Sequence, residues 1–374
     1  MSNWQNKYVT GLTGNIATGK SLVRNILENL GAFSIDTDSL GHRVLLKGGA
    51  GYRPAIQAFG DGILKTDGNI DRSRLAAIVF NDSSALSRLE SIVHPPVFQT
   101  VDLLIKRAVQ PVVVLESIIL LETDLKDRCD ETWIVISSRE VQLERMVGQR
   151  GFSLSDAAMR IDTQVPQAEK IAQADVVIQN DGSMQAVFTQ VLIAWQNVNT
   201  RVEPATVALI RNQSGNLVIR MADINDFQLI QSFLNNQPIH QKPENSDGWI
   251  HSQRYLLLEM DDCPSGVVTW QTHNLLCLVT GIFMESALTS SDTISLIRTM
   301  EQSAKRTQCE AILYFLPSNT NKSPWLQAGY LVTQPHSLPI PPWSDIAIKL
   351  HRKDSFLLFR QLEDSPLLIS ESSP

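Results

Sequence analysis

Lys20 and Ser21 close the stretch Gly14-Asn15-Ile16-Ala17-Thr18-Gly19-Lys20-Ser21, which has the form G-x-x-x-x-G-K-[ST]. In such a P-loop, small residues let successive backbone N–H groups close around phosphate oxygens at a helix N-terminus. The pattern assigns Gly14, Asn15, Ala17, Thr18, Gly19, Lys20, Ser21 and Leu22 to nucleotide phosphates, with Lys20 reaching the β- and γ-phosphates and Ser21 ligating Mg²⁺. Asp36 and Asp38 are the next chemically informative pair. On one strand face they could share a cation or an incoming hydroxyl; alternatively they form an Asx turn or helix cap before residues 39–45. Arg145, Arg150 and Arg160 lie on two helical patterns hinged at Gly151, an arrangement able to close over a triphosphate and stabilise charge on a transferred phosphoryl group. A solvated cationic face is the competing reading of those arginines.

The flanking patterns supply the elements that would position these groups. Residues 8–12 read as a strand entering the loop, and Leu22, Val23, Ile26, Leu27 and Leu30 recur at helical spacing up to Gly31. A second strand from Phe33 ends at the two acids, and carboxyl ends of strands are where open α/β sheets bind ligands. Residues 112–115 and 133–136 read as strands buried on both faces, and 175–178 as a last strand before a closing helix over 184–195. Residues 47–83, rich in Gly and polar groups, read as a mobile insertion suited to an acceptor flap. A helix from Ala85 is expected to break at Pro95, leaving His94 at a helix end, and Ser137 with Glu140 reads as a capping box.

A chain of 374 residues predicts two domains, and 43% hydrophobic residues suffice for packed cores. The net charge of −7, without a basic excess in either half, argues against nucleic acid as a partner. Cys129, Cys263, Cys277 and Cys309 are far apart and suggest buried free thiols rather than disulfides or a zinc site. Without a membrane-spanning run or a signal-peptide core, a soluble cytoplasmic protein that does not engage membranes is expected.

Over residues 7–196 the chain resembles the dephospho-CoA kinase family, P-loop kinases similar in fold to nucleotide monophosphate kinases. The resemblance is carried by Thr10-Gly11-Leu12-Thr13-Gly14, Asp36-Thr37-Asp38, His94-Pro95, Leu120-Leu121-Glu122, Cys129-Asp130, Gln142 with Arg145 and Arg150, Arg160 with Gln164, and Ala174-Asp175 with Asn180. It implies a parallel α/β sheet with acceptor-binding and lid insertions. The implied reaction is ATP-dependent phosphorylation of the ribose 3′-hydroxyl of dephospho-CoA, giving CoA and ADP as the last step of CoA biosynthesis. It further implies Asp38 as general base with Asp36 in support, Lys20, Arg145 and Arg150 as electrostatic groups, and His94 and Glu122 lining the acceptor side. Four residues depart from the family pattern: Asn15 for Gly, Leu22 for Thr, Thr37 for Ala and Ile118 for Pro.

Residues 199–215 read as a linker or strand-bearing connection between a domain over 1–198 and another over 216–374. The second is expected to be α+β, with strands at 217–220, 255–260, 267–271, 275–283, 311–316, 346–350 and 356–359 and helices at 227–234 and 294–304. That order is similar to GNAT-type acetyltransferases. The resemblance would put a pyrophosphate loop at 288–293, which has no glycine and carries Asp292, and Trp325 where many members have a general-acid Tyr. Three functions therefore stand side by side: the dephospho-CoA kinase, a P-loop kinase for another nucleoside or nucleotide, and a C-terminal CoA-sensing or acetyltransferase module. The oligomeric state is open. Because all the kinase groups precede residue 197, the second half is expected to be dispensable for phosphoryl transfer.

Overall fold

A computed structural model of the chain describes Trp4 and residues 7–79, 82–202, 211–214, 217–222, 224–236, 253–261, 263–284, 289–351 and 353–363. Its first part contains β1 (Tyr8–Thr13), α1 (Lys20–Asn29), β2 (Phe33–Asp36), α2 (Thr37–Val44), α3 (Tyr52–Phe59), α4 (Arg72–Val79) and α5 (Ser83–Arg107). There follow β3 (Val112–Glu116), β4 (Glu131–Ile136), α6 (Arg139–Gly148), α7 (Leu154–Asp162), α8 (Gln167–Ile171), β5 (Val176–Gln179) and α9 (Met184–Asn199). The strands form one parallel sheet in the order β2-β3-β1-β4-β5. From β1 the chain leaves toward β2 and β3 and later crosses to β4, so the carboxyl end of β1 is where the connections diverge. An open parallel sheet binds ligands at that point.

Both faces of this sheet are covered, which is why its strands are continuously apolar. On one face Leu12, Val114, Trp133 and Val135 pack against Val23 and Ile26 of α1 and Val187, Val191 and Trp195 of α9. On the other, Val9, Phe33, Val113 and Leu115 pack against Leu40 and Val44 of α2 and Val101, Leu104 and Ile105 of α5.

Three local expectations change. Residues 47–79, the described part of the 47–83 stretch up to its two undescribed residues, are a folded helical insertion with its own core, in which Ala55, Ile63, Ile70, Leu75 and Val79 cluster with Ala85. Helix α5 runs unbroken through Pro95 and Pro96, so His94 lies in a helix interior rather than at its end. A proline there loses a backbone bond and crowds the preceding turn, at about 3 kcal/mol. Burial of Ala85 on one side and of Val97, Val101, Leu104 and Ile105 on the other outweighs that penalty. The cap of α6 is Ser138, whose hydroxyl accepts from the Val141 N–H, leaving Ser137 for the loop below.

The second part contains β6 (Arg211–Ser214), β7 (Leu217–Met221), α10 (Phe227–Asn235), β8 (Arg254–Met260), β9 (Cys263–His273), β10 (Leu276–Met284) and α11 (Ser290–Arg306). It ends with β11 (Ala311–Pro317), α12 (Ser323–Gln327), β12 (Leu331–Thr333), α13 (Pro341–Leu350) and β13 (Ser355–Gln361). These strands make an eight-stranded sheet ordered β12-β13-β11-β10-β9-β8-β7-β6, antiparallel except for the β10–β11 pair. Of the connecting stretch 199–215, residues 211–214 form β6, while 203–210 and 215 lie outside the described residues. Residues 346–350, expected as a strand, belong to α13: Pro341 and Pro342 open a helix that buries Trp343 and Ala347 one turn apart. Cys277 and Cys309 are buried free thiols, whereas Cys263 is exposed and Cys129 partly buried.

Trp133 of β4, the strand beside the central one, has no exposed surface. Trp133→Ala is expected to destabilise the protein by about 3–5 kcal/mol, read as a lower midpoint of the denaturant transition followed by far-UV circular dichroism.

Candidate active site

The phosphate cradle forms because the chain must turn within one residue of β1. Gly14 and Gly19 have φ of 149° and 94°, and Ala17 also lies at positive φ, 61°. A Cβ on Gly14 would stand 2.4 Å from the Val135 carbonyl oxygen, and one on Gly19 would stand 2.1 Å from Asn180 Nδ2. Gly19 is also the N-cap of α1 and offers no side chain to it. The first N–H groups of α1, including those of Lys20 and Ser21, are therefore directed at the loop opening without an intrahelical acceptor. That opening fits a phosphate chain.

Side-chain amides from three other segments hold the loop. Gln142 Nε2 donates to the Ile16 carbonyl at 2.7 Å, and the Ile16 N–H donates to Gln164 Oε1 at 2.7 Å. Asn180 Nδ2 donates to the Thr18 carbonyl at 2.8 Å. Asn15, the departure from Gly, is not at positive φ, and its Nδ2 ties the loop to the Val165 carbonyl at 3.0 Å. Leu22 packs its side chain against the sheet core.

Lys20 is buried and its Nζ donates to the carbonyls of Gly14 and Asn15 at 2.9 and 3.3 Å. Burial pulls its pKa down, and the charges of Glu116 and Asp38 act in the opposite sense. Ser21 is exposed at the start of α1, free of the packing that buries its neighbours.

The two acids are not side by side on a strand. β2 ends at Asp36, which caps α2 by accepting from the Ser39 N–H at 3.0 Å and the Ser39 hydroxyl at 2.7 Å. Asp38 lies in the first turn of α2, and its Oδ2 accepts from the Ile118 N–H at 3.2 Å. Ile118 thus supplies a donor that the proline implied by the resemblance would lack. Thr37 Oγ1 donates to the Glu116 carbonyl at 3.0 Å.

Two groups that the sequence reading passed over complete this cluster. Glu116 ends β3 in register with Asp36. Arg24, one turn into α1, donates to Glu116 Oε2 at 2.7 Å and approaches Asp36 Oδ2 at 3.4 Å. A charged residue ending the apolar run 112–115 was the available signal for Glu116. Burial, reinforced by Asp36 and opposed by Lys20, pushes the Asp38 carboxyl up to about 6.

Arg145 sits beneath the loop, donating from Nη1 to the Ala17 and Thr18 carbonyls at 3.1 and 3.3 Å and from Nη2 to the Asn180 carbonyl at 2.8 Å. It braces the cradle from below, in contrast with the expected lid position. Arg150 and Arg160 are exposed on either side of Gly151, whose φ is +69°. Arg160 lies over the Phe152 ring at 4.9 Å.

On the other wall Glu122 pairs with Lys170 at 3.0 Å, and Lys170 also donates to the Ile118 carbonyl at 3.1 Å. Lys170, almost fully buried, is a further group the sequence reading missed. His94 stacks on Phe98, with ring centroids 5.6 Å apart.

The opening of α11 is built differently from that of α1. Thr289 and Asp292 form a reciprocal capping box, so a carboxylate already occupies that N-terminus. Leu288, the first residue of the glycine-less loop, lies outside the described residues. Trp325 is core, packed between Tyr314 and Tyr330. Among the described residues no helix is long and apolar enough to cross a membrane.

As the base that the resemblance implies, Asp38 would have to be ionised to accept a proton, and its raised pKa puts the loss of that form at falling pH near 6. The acid limb of the kcat/KM profile is expected there. Asp36→Asn keeps a competent helix cap and removes a neighbouring negative charge, so it is expected to move the limb to lower pH.

Comparison with known proteins places this geometry. The dephospho-CoA kinase family profile matches residues 8–186. The dephospho-CoA kinase of Geobacter sulfurreducens is 42% identical over 190 residues, 50% of this chain and 96% of its own. A crystal structure from Thermus thermophilus aligns with 51% of this chain and 97% of its own, at 30% identity and TM-score 0.48. An N-acetyltransferase structure from Staphylococcus aureus covers 39% of this chain and 97% of its own, at 17% identity and TM-score 0.30.

Proposed function

The chain belongs to the dephospho-CoA kinase family, and from that premise we propose that its parallel-sheet half transfers the γ-phosphate of ATP to the ribose 3′-hydroxyl of dephospho-CoA. The products are CoA and ADP, in the closing step of CoA biosynthesis. We assign residues 1–198 to this kinase domain, 199–215 to a connection and 216–374 to a second domain, in a cytoplasmic protein. The observation that carries the reading is the meeting of an uncapped helix N-terminus holding Lys20 with a partly buried carboxylate, Asp38, whose pKa is raised.

In this mechanism the N–H groups of residues 17–22 and Lys20 Nζ hold the β- and γ-phosphates. Ser21, exposed at the start of α1, would hold Mg²⁺ through its Oγ, and the ion would supply neutralisation of phosphate charge. Lys20 would exchange its two carbonyl partners for phosphate oxygens. Asp38 accepts a hydrogen bond from the acceptor hydroxyl and takes its proton as the new O–P bond forms and the bond to ADP breaks. A carboxylate near pKa 6 suits a loose transition state, which asks for orientation of the hydroxyl more than for its early deprotonation. Asp36 and Glu116 keep the surroundings of Asp38 negative, and Arg24 limits the cost of gathering those acids. Arg150 and Arg160, exposed at the Gly151 hinge, are the arginines free to approach the transferred group, while Arg145 keeps the loop carbonyls turned away from it. Glu122 and His94 are assigned to the acceptor side, with Lys170 holding Glu122 in place.

The self-capped start of α11 and the buried Trp325 argue against acetyl transfer by the second half, because an anion there would face the Asp292 carboxylate. Full-length protein with Mg-ATP and dephospho-CoA is expected to form CoA and ADP in equal amounts. Asp38→Asn should lower turnover by about two to four orders of magnitude with ATP binding retained, and Lys20→Ala should abolish it. Consumption of ATP by other nucleosides but not by dephospho-CoA would overturn the acceptor assignment and leave a P-loop kinase.

A further inference from the structure

Helix α2, which carries Asp38, is gripped at both ends by residues from beyond position 253. At its C-terminal end Arg43 has no exposed surface, forms an ion pair with Glu310, and lies over the Trp343 ring at 5.9 Å. Its Nη1 and Trp343 Nε1 both donate to the Asn274 carbonyl, at 3.4 and 3.0 Å. Asn274 and Leu275 form the tip between β9 and β10, with φ of 50° and 60°, the two-residue turn that makes a stiff hairpin end. Leu275 packs into the core containing Leu40 and Val44, and Leu46 packs in return against the core containing Leu276 and Trp343.

At the N-terminal end of α2 the link is a chain of buried charges. Arg254 of β8 donates from Nε to Glu28 Oε2 at 3.0 Å. Glu28, one helical turn after Arg24 on α1, lies 3.8 Å from Arg24 Nε and also accepts from the Ser34 hydroxyl. Arg24 in turn holds Glu116 and Asp36. The Glu28 and Arg254 side chains are 7% and 10% exposed, so neither charge has water as an alternative partner. Burial alone would raise the Glu28 carboxyl, yet Arg254 first and Arg24 second pull it below its ordinary value. Between this chain and the hairpin tip lies a cavity of about 70 Å³, lined by Arg24, Glu28, Asp36, Ser39, His273 and Asn274. The second half therefore reaches the acids beside Asp38 through Glu28 and Arg24.

We propose that Arg254 is a positioning residue for the kinase reaction, and that the eight-stranded sheet is in this way a working part of the phosphoryl-transfer site. By satisfying Glu28, Arg254 leaves Arg24 available to hold Asp36 and Glu116; without it, the buried Glu28 carboxylate competes for Arg24 and draws it from the acids that fix the start of α2. A buried charge that loses one partner takes another from the nearest group able to supply it. The contacts argue against the expectation that the second half is dispensable. The proposal rests on the kinase reading for its kinetic outcome, but the placement of α2 is observable without turnover.

The test uses the full-length chain as Arg254→Met, Arg254→Lys and the double variant Glu28→Gln/Arg254→Met, with two readouts. One is steady-state kinetics with Mg-ATP and dephospho-CoA; the other is hydrogen–deuterium exchange of residues 33–44 without substrates. Arg254→Met is expected to lower kcat about tenfold with the KM for ATP within about twofold, and to speed exchange in 33–44, a coupling ordinary for residues in one ion-pair network. Arg254→Lys should recover part of the loss. The double variant should recover most of it, because Glu28→Gln removes the competing charge; a packing role alone would leave the double variant no better than the single. Wild-type kcat and exchange in Arg254→Met overturn the proposal, as does a double variant that gains nothing. If Arg254→Met does not fold, Arg254→Lys and the double variant carry the same comparison. Wild-type protein inert toward dephospho-CoA would instead overturn the kinase reading, and the exchange data would still decide the role of Arg254.

Discussion

The guanidinium of Arg24 is the interaction on which the arrangement of the parallel-sheet half turns. Three carboxylates, Glu28, Asp36 and Glu116, come from α1, β2 and β3, and each lies within 4 Å of that one group. Acids gathered at the carboxyl ends of neighbouring strands repel one another, and burial raises the cost. A planar, delocalised and permanently charged group with several donors can serve them together, which a lysine could do only as a point charge. Burial works against the charge on Arg24, but Glu116, Glu28 and Asp36 outweigh it, so the guanidinium is held firmly protonated. Asp38 stands just outside this set. Burial first and then the negative charge of Asp36 push its carboxyl up to about 6, with Lys20 rather than a guanidinium as the opposing cation.

Helix termini carry the second organising contrast. α1 opens at a glycine with no side chain to cap it, whereas α11 opens on Thr289 and Asp292, which satisfy each other's backbone donors. The first leaves N–H groups and a positive partial charge for an incoming anion; the second has spent them on its own carboxylate. One chain thus contains a helix start built for phosphate and another that rejects it. This difference, more than the outline of either fold, places the chemistry in the parallel-sheet half.

The P-loop itself is held in shape by side chains from outside it. Gln142, Gln164 and Asn180 satisfy loop amides and carbonyls from α6, the segment after α7 and the end of β5. Arg145 donates to the Ala17 and Thr18 carbonyls and to the carbonyl and Oδ1 of Asn180, and the Ser137 hydroxyl donates to the Asn180 carbonyl. Since α6 and α7 also pack Met146, Ala157 and Ile161 against Ala17, movement at the Gly151 hinge and the shape of the loop are mechanically connected. Preorganisation of this kind is what phosphoryl transfer requires of a protein.

Much of the machinery was legible in the chain because it is local. A P-loop is a run of eight residues whose backbone geometry follows from their own φ preferences, and apolar periodicity located its strand, its helix and the parallel strands around it. The family pattern marked Asp36, Asp38, Gln142, Gln164 and Asn180 for the same reason. What the linear pattern did not contain are pairings between distant segments. Pro95 reads as a helix stop until packing on both flanks holds α5 together. Residues 346–350 have the β-branched look of a strand until Trp343 and Ala347 are buried on one helical face. Arg24, Glu28 and Arg43 belong to no motif in the chain; only the fold surrounds them with Glu116, Arg254 and Glu310. The sequence by itself determined the phosphate loop and marked two of the acids, Asp36 and Asp38. The tertiary structure alone decided how those acids are held and that the second sheet takes part in holding them, because a buried charge is specified by whichever partner the fold brings to it, at any distance along the chain.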